Sequence, residues 1–179
     1  MLGLTQLGIL HTAISLVALG AGLFALVRDK QITGRNGIGK LYVWTTVLTC
    51  LTGFPILQHG GFGKPHALGI ITLVTLVIAA LAARNKFGRP SRYIEVVSYT
   101  ATILFHLIPG FVETTTRLPL NNPLIKDREG PELQAITGVL FLLFLIVATL
   151  QVLRLRKAGC SPHADGRLTE GVFPSIETK

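Results

Sequence analysis

The sequence predicts an all-α integral membrane bundle of five transmembrane helices, with the N-terminus outside and the C-terminus in the cytoplasm. Of its 179 residues, 49% are hydrophobic and only 15% are charged, and the mean hydropathy is +0.55. Soluble domains carry roughly 25% charged residues. The apolar residues lie in five long blocks, and the basic residues cluster between alternate blocks. A soluble protein with five buried helices is the alternative, which the length of the blocks disfavours.

Each apolar block approaches the length of about 20 residues that crosses a bilayer as a helix. The second and third blocks are short, but Gln58 and flanking glycines extend them. The fourth block alone contains a charged side chain, Glu95. Positive charge follows the first block, at Arg28 and Lys30, and does not precede it, which favours a retained span over a signal peptide. The blocks are Leu4–Val27, Leu41–Leu57, Ala67–Ala83, Tyr93–Val112 and Leu133–Leu153.

The basic residues predict the orientation of the bundle. Thirteen of the 17 Lys and Arg residues follow the first, third and fifth blocks, and an excess of such residues marks the cytoplasmic side. Because the basic residues are segregated in this way, we expect the net charge of +8 to set the orientation in the membrane and to contact anionic lipid headgroups. The same distribution argues against nucleic acid as a partner. We expect one transmembrane domain over residues 1–157 and a flexible cytoplasmic tail over residues 158–179.

Four of the five histidines fall on the outer half of the bundle once the spans are oriented: His11, His59, His66 and His106. His11 lies about 10 Å below the outer start of the first span, and His106 about 9 Å below the outer end of the fourth, at the helical rise per residue. Ionisable side chains inside a membrane are rare and mark functional sites. The position of these histidines therefore predicts a binding site near the outer surface.

Two helical stripes predict that His11 and His106 face the interior. Small residues at spacings of three or four accompany His11, and such residues let membrane helices approach closely or leave room for a flat cofactor. Polar residues accompany His106, and lipid would penalise them on an outer face. The first stripe consists of Gly8, His11, Ser15, Ala18, Gly22 and Ala25. The second consists of Glu95, Tyr99, Thr102, His106 and Glu113.

Three kinds of site fit the histidines. His11 and His106 suit the two axial positions of one haem b, with His59 and His66 near the propionates or solvent. Alternatively, three or four of the histidines bind a copper, zinc or iron ion, with Glu113 as a further ligand. The third possibility has no metal, and the imidazoles relay protons or bind a quinone head group.

The structural alternative is that each histidine is a packing residue. His11 would then be hydrogen-bonded to Ser15, and His106 to Thr102. The simplest interpretation of Glu95 is that its side chain pairs with Arg92 or Tyr99 at the cytoplasmic interface. The functional interpretation is that Glu95 forms a proton entrance on the inner side.

Parts of the first half of the chain resemble a group of small bacterial multi-span membrane proteins known only as a domain of unknown function. The resemblance rests on His11 in a glycine-dotted first helix, on Gly34, and on the run Gly39-Lys40-Leu41-Tyr42 that enters the second span. It implies a bacterial origin and a membrane location. The histidine-bearing bundle is also similar in plan to b-type membrane cytochromes, and its ligand set would support one haem at most.

These expectations combine into one leading hypothesis and two alternatives. The leading hypothesis is a bacterial inner (plasma) membrane protein with a histidine-ligated redox centre on its outer side, which passes electrons between a quinone pool and a periplasmic partner. The first alternative is a non-enzymatic accessory or assembly subunit of a larger membrane complex. The second is a small transporter or metal-handling protein, which the polar stripe of the fourth span would favour.

Overall fold

A computed structural model describes residues 6–55, 63–117, 124–125 and 130–159. Within these ranges the chain forms five α-helices and no strand, as the sequence predicts. His59 and nearly all of the predicted tail lie outside the described residues. The helices are α1 (Gln6–Asp29), α2 (Gly37–Gly53), α3 (Lys64–Ala83), α4 (Ser91–Arg117) and α5 (Pro131–Gly159).

Four of the five described helices are long and apolar enough to cross a membrane, which supports a membrane protein, while the predicted fifth span, α2, is not among them. The qualifying segments are Gln6–Asp29, Pro65–Ala83, Ser91–Thr116 and Pro131–Ala158. α2 has 17 residues, a length of about 25 Å at the helical rise per residue. Large apolar side chains cover the outer surface of the bundle, as lipid contact requires, and Trp44 of α2 is 67% exposed among them.

The core forms where α1, α2, α3 and α4 meet. Tyr42 is fully buried, and its ring lies so close to Gly22 that a Cβ there would come within 2.7 Å of it. The same Cβ would come within 3.3 Å of Ile103 on α4. The small residues of α1 therefore serve close helix packing at this depth, and Gly22 leaves no room for a flat cofactor. The buried members of the stripe are Gly8, Ala18, Gly22 and Ala25.

α1 and α2 are antiparallel and joined by a tight loop. The Asn36 side chain caps α2 by accepting a hydrogen bond of 2.7 Å from the Gly39 N–H. A Cβ at Gly39 would collide with the Thr33 carbonyl, so only glycine fits this approach. Arg35 in this loop reaches the Ala83 carbonyl at the end of α3, at 3.0 Å. The α1–α2 loop and the α3–α4 turn thus lie at the same end of the bundle, which we call the basic end.

The opposite end of the bundle carries the described histidines, and we call it the histidine end. The Nδ1 atom of His11 lies 3.1 Å from Thr52 Oγ1 near the end of α2. α4 runs from Glu95 at the basic end to His106 and Glu113 toward the histidine end. Glu95, Tyr99, Thr102 and His106 are all buried, which agrees with the polar stripe predicted for this span. Thr100, on another side of α4, is also buried and bonds to Gln151 of α5 at 2.8 Å.

Candidate functional site

His106 has one buried nitrogen atom without a hydrogen-bond partner. The residue is 9% exposed, and its Nδ1 lies 3.0 Å from the Thr102 carbonyl oxygen one turn earlier in α4. A carbonyl can only accept, so Nδ1 carries the proton and Nε2 carries the lone pair. Within the part of the chain that the structure describes, this Nε2 is buried and has no hydrogen-bond partner. A histidine whose Nδ1–H donates to a backbone carbonyl is oriented as metal-binding histidines are.

His11 is held in the same tautomer by α2. The Thr52 hydroxyl donates its own proton to the Leu48 carbonyl at 2.8 Å, so it accepts from His11 Nδ1 at 3.1 Å. Nε2 is then the lone-pair nitrogen of a neutral His11. Gly53 makes this position possible, because a Cβ there would come within 3.2 Å of the His11 ring.

The two imidazoles lie in one region of the bundle. His11 is half-buried on α1, where it bonds to Thr52, and His106 is buried on α4. Glu113 lies two helical turns beyond His106 on α4. Both rings therefore lie at the same end of the bundle, on two different helices.

His66 lies at the start of α3 and bonds to the end of α2. Its Nδ1 accepts a hydrogen bond of 3.2 Å from the Gly63 N–H. Its Nε2 donates to the Phe54 carbonyl at 3.1 Å, and its ring stacks on the Phe54 ring with the centroids 6.4 Å apart. Both ring nitrogens are thus bonded to the backbone, so His66 presents no lone pair to a metal in this conformation.

The predicted metal ion on three or four histidines stays a prediction, since His59 lies outside the described residues. Within the described ranges, no three His, Cys, Asp or Glu side chains form a group that could hold one metal ion. His11, His66 and His106 are the members of the predicted set that the structure describes, and metal binding by His11 and His106 likewise stays a prediction.

Polar residues of α2 complete the site, and the sequence analysis did not assign them to it. The Tyr42 hydroxyl lies 2.6 Å from Thr102 Oγ1, and the Tyr42 ring packs against His106 with the centroids 6.2 Å apart. The Thr46 hydroxyl, one turn further along α2, is buried without a hydrogen-bond partner among the described residues. The signal in the sequence was a stripe of hydroxyl side chains on α2 at spacings of three or four, Tyr42, Thr46 and Thr49, continued by Gly53.

The predicted packing interactions of the histidines hold only in part. His106 does bond to Thr102, but through the backbone carbonyl and with one nitrogen alone. The Ser15 hydroxyl donates to the Thr12 carbonyl at 2.9 Å, and His11 pairs with Thr52 instead. Packing within the protein therefore explains the hydrogen bond made by the Nδ1 atom of His11 and of His106.

A second polar cluster lies at the basic end. Glu95 is 4% exposed and accepts hydrogen bonds from Thr33 Oγ1 and Arg35 Nη2, both at 3.2 Å. The ion pair is thus made with Arg35 of the α1–α2 loop, where the sequence had suggested Arg92. A cavity of about 280 Å³ adjoins this pair, between the α1–α2 loop, the end of α3 and the start of α4.

The described histidine end presents imidazole nitrogen, a ligand type that haem iron shares with copper and zinc. His11 and His106 are the residues that would hold such a group, and the group itself stays a prediction. The unpaired Nε2 of His106 is the observation that favours coordination over packing. Comparisons with protein-family models, curated proteins and solved structures found no match.

Proposed function

We propose that the chain is a bacterial inner-membrane electron-transfer protein that holds one haem b between His11 and His106. In this proposal it transfers electrons between a quinone pool and a periplasmic partner. The observation that supports it is the buried, unpaired Nε2 of His106, whose Nδ1–H is fixed by the Thr102 carbonyl. A buried polar atom without a partner lowers stability unless something binds to it.

Each residue of the site has a definite role in this proposal. His106 and His11 present their Nε2 atoms from α4 and α1, and bound haem supplies one-electron redox chemistry. The Thr102 carbonyl and the Thr52 hydroxyl fix the two rings by accepting the Nδ1 protons. Glu113, two helical turns beyond His106 on α4, would place a carboxylate at the same end, which would favour the more positively charged state of the centre.

The proposed topology has five spans, with the histidine end outside. We include α2 as a span because it packs along the length of α1. Tyr42 of α2 contacts Gly22 of α1 toward one end, and Thr52 bonds to His11 toward the other. The loops at the basic end carry most of the Lys and Arg residues, which supports a cytoplasmic location for that end.

The test is to purify the full-length protein from membranes in mild detergent and to record its absorption spectrum and metal content. We expect a b-type spectrum that changes on reduction by dithionite, with about one iron per chain, as two axial imidazoles would hold one haem. A colourless preparation without iron, from cells with ample haem, would reject the proposal.

A metal-free proton relay is the second candidate, and the polar stripe of α4 favours it. Glu95, Tyr99 and Thr102 are all buried on this helix, and His106 lies one turn beyond Thr102. Hydroxyl and imidazole groups in sequence can pass protons between the two ends. Protein in liposomes would then conduct protons under a membrane potential, and Glu95→Gln would abolish the flux. Equal flux in liposomes with and without protein would exclude this candidate.

A further inference from the structure

The cavity at the basic end has the composition of an anion site. Arg35 and Arg92 line it together with one acid, Glu95, and the neutral residues Asn85 and Ser91. Glu95 already accepts bonds from Thr33 and Arg35, so its charge is largely compensated within the protein. The lining therefore keeps a net positive charge and an excess of hydrogen-bond donors.

Arg35 is fixed across this cavity by its partners on two helices. Its Nη2 donates to the Ala83 carbonyl at 3.0 Å and to Glu95 at 3.2 Å. Its side chain is nevertheless 69% exposed, so the remaining N–H groups of the guanidinium are open to a ligand. A guanidinium held in place binds phosphate with little further loss of side-chain entropy.

The start of α4 adds further donors. Ser91 Oγ accepts a hydrogen bond of 3.1 Å from the Phe87 N–H, which leaves the Ser91 hydroxyl proton to donate. The first turn of a helix also attracts anions through its backbone N–H groups and its dipole. Arg92 follows directly and lines the same cavity.

We propose that this cavity binds a phosphate group at the membrane surface, carried either by the headgroup of an anionic phospholipid or by a small soluble phosphate. The cavity lies at the end of α3 and the start of α4, among the basic loops. Basic pockets between transmembrane helices on the cytoplasmic side recognise anionic headgroups in this way. The proposal concerns the end of the bundle opposite to the histidines and stands independently of the haem.

The test uses the purified full-length protein and compares Arg92→Gln with Arg89→Gln. Both changes remove one positive charge from the same exposed region, but only Arg92 lines the cavity. The ligands are phosphatidylglycerol, phosphatidylcholine and inorganic phosphate, and binding is measured by native mass spectrometry and by the shift in unfolding temperature.

We expect phosphatidylglycerol to bind in preference to phosphatidylcholine, and Arg92→Gln to weaken its binding about fivefold, as for one surface cation near a headgroup. Arg89→Gln should leave the binding unchanged. If inorganic phosphate stabilises the protein and shows the same difference between the variants, the ligand is a soluble phosphate. If neither ligand binds above phosphatidylcholine, or if both variants weaken binding equally, the cavity is not a phosphate site.

Discussion

The two ends of the bundle bury polar groups in different ways. At the basic end, the Glu95 carboxylate is bonded to Thr33 and Arg35, and each of these residues comes from the α1–α2 loop. At the histidine end, the His106 ring is bonded on one side only, and the Thr46 hydroxyl is also left without a described partner. The first arrangement is complete within the protein, whereas the second needs a further group.

This difference separates the stabilising role of the Glu95–Arg35 pair from the proposed binding role of the His106 Nε2 atom. A buried polar group with all its bonds made ties helices together, and its removal should lower stability. A buried polar atom without a partner lowers stability by itself, so its presence indicates a ligand or a bound water. The following variants test whether the two ends differ in this sense.

Arg35→Gln should have the largest effect, a loss of about 3 kcal/mol in the free energy of unfolding, because it leaves a buried carboxylate without its cation. Glu95→Gln should cost only about 1 kcal/mol, because the exposed Arg35 remains hydrated. Unfolding in mixed micelles with increasing SDS measures both variants. Equal losses would contradict this account, in which the buried Glu95 carboxylate depends on the Arg35 guanidinium.

Gly22→Ala should cost about 2 kcal/mol, because the new methyl group would overlap the buried Tyr42 ring and overpack the core. Gly20→Ala is the matched control on the same helix, since a Cβ at Gly20 meets nothing within 4 Å. The same unfolding titration compares them. If both variants are as stable as the wild type, α1 and α2 do not pack as closely as described.

Thr102→Val should cost about 1.5 kcal/mol, because it leaves the fully buried Tyr42 hydroxyl without its hydrogen-bond partner. Thr46→Val has the same shape change but removes a hydroxyl that lies near the Tyr42 hydroxyl without forming a hydrogen bond of regular geometry among the described residues. We expect it to be neutral or slightly stabilising in ligand-free protein. A large loss for Thr46→Val would show that its hydroxyl is bonded after all.

Hydrophobic pattern and charge predicted the helical class, because lipid allows few alternatives for a long apolar block. They also predicted the buried stripes of α1 and α4, since Gly22 and Thr102 face inward at helical spacing. The partners of each polar group were harder to predict. Arg35 lies 60 positions from Glu95 and Thr52 lies 41 from His11, and such pairings depend on how the helices meet.

His66 shows a second limit of the sequence. Its position at the outer surface suggested a ligand, but the residue also stands where it can accept from the Gly63 N–H at the start of α3. Nothing in a single sequence ranks a helix-capping role against coordination. Hydrogen bonds to both ring nitrogens distinguish the two roles, and these depend on the turn before α3.

The most direct test of the central claim is the absorption spectrum of His106→Ala beside that of His66→Ala. Each variant replaces one buried histidine at the same end, and haem content is normalised to folded protein. The account predicts a b-type spectrum for the wild type and for His66→Ala, and its loss in His106→Ala. Retention of the spectrum in His106→Ala, or its equal loss in both variants, would contradict the account.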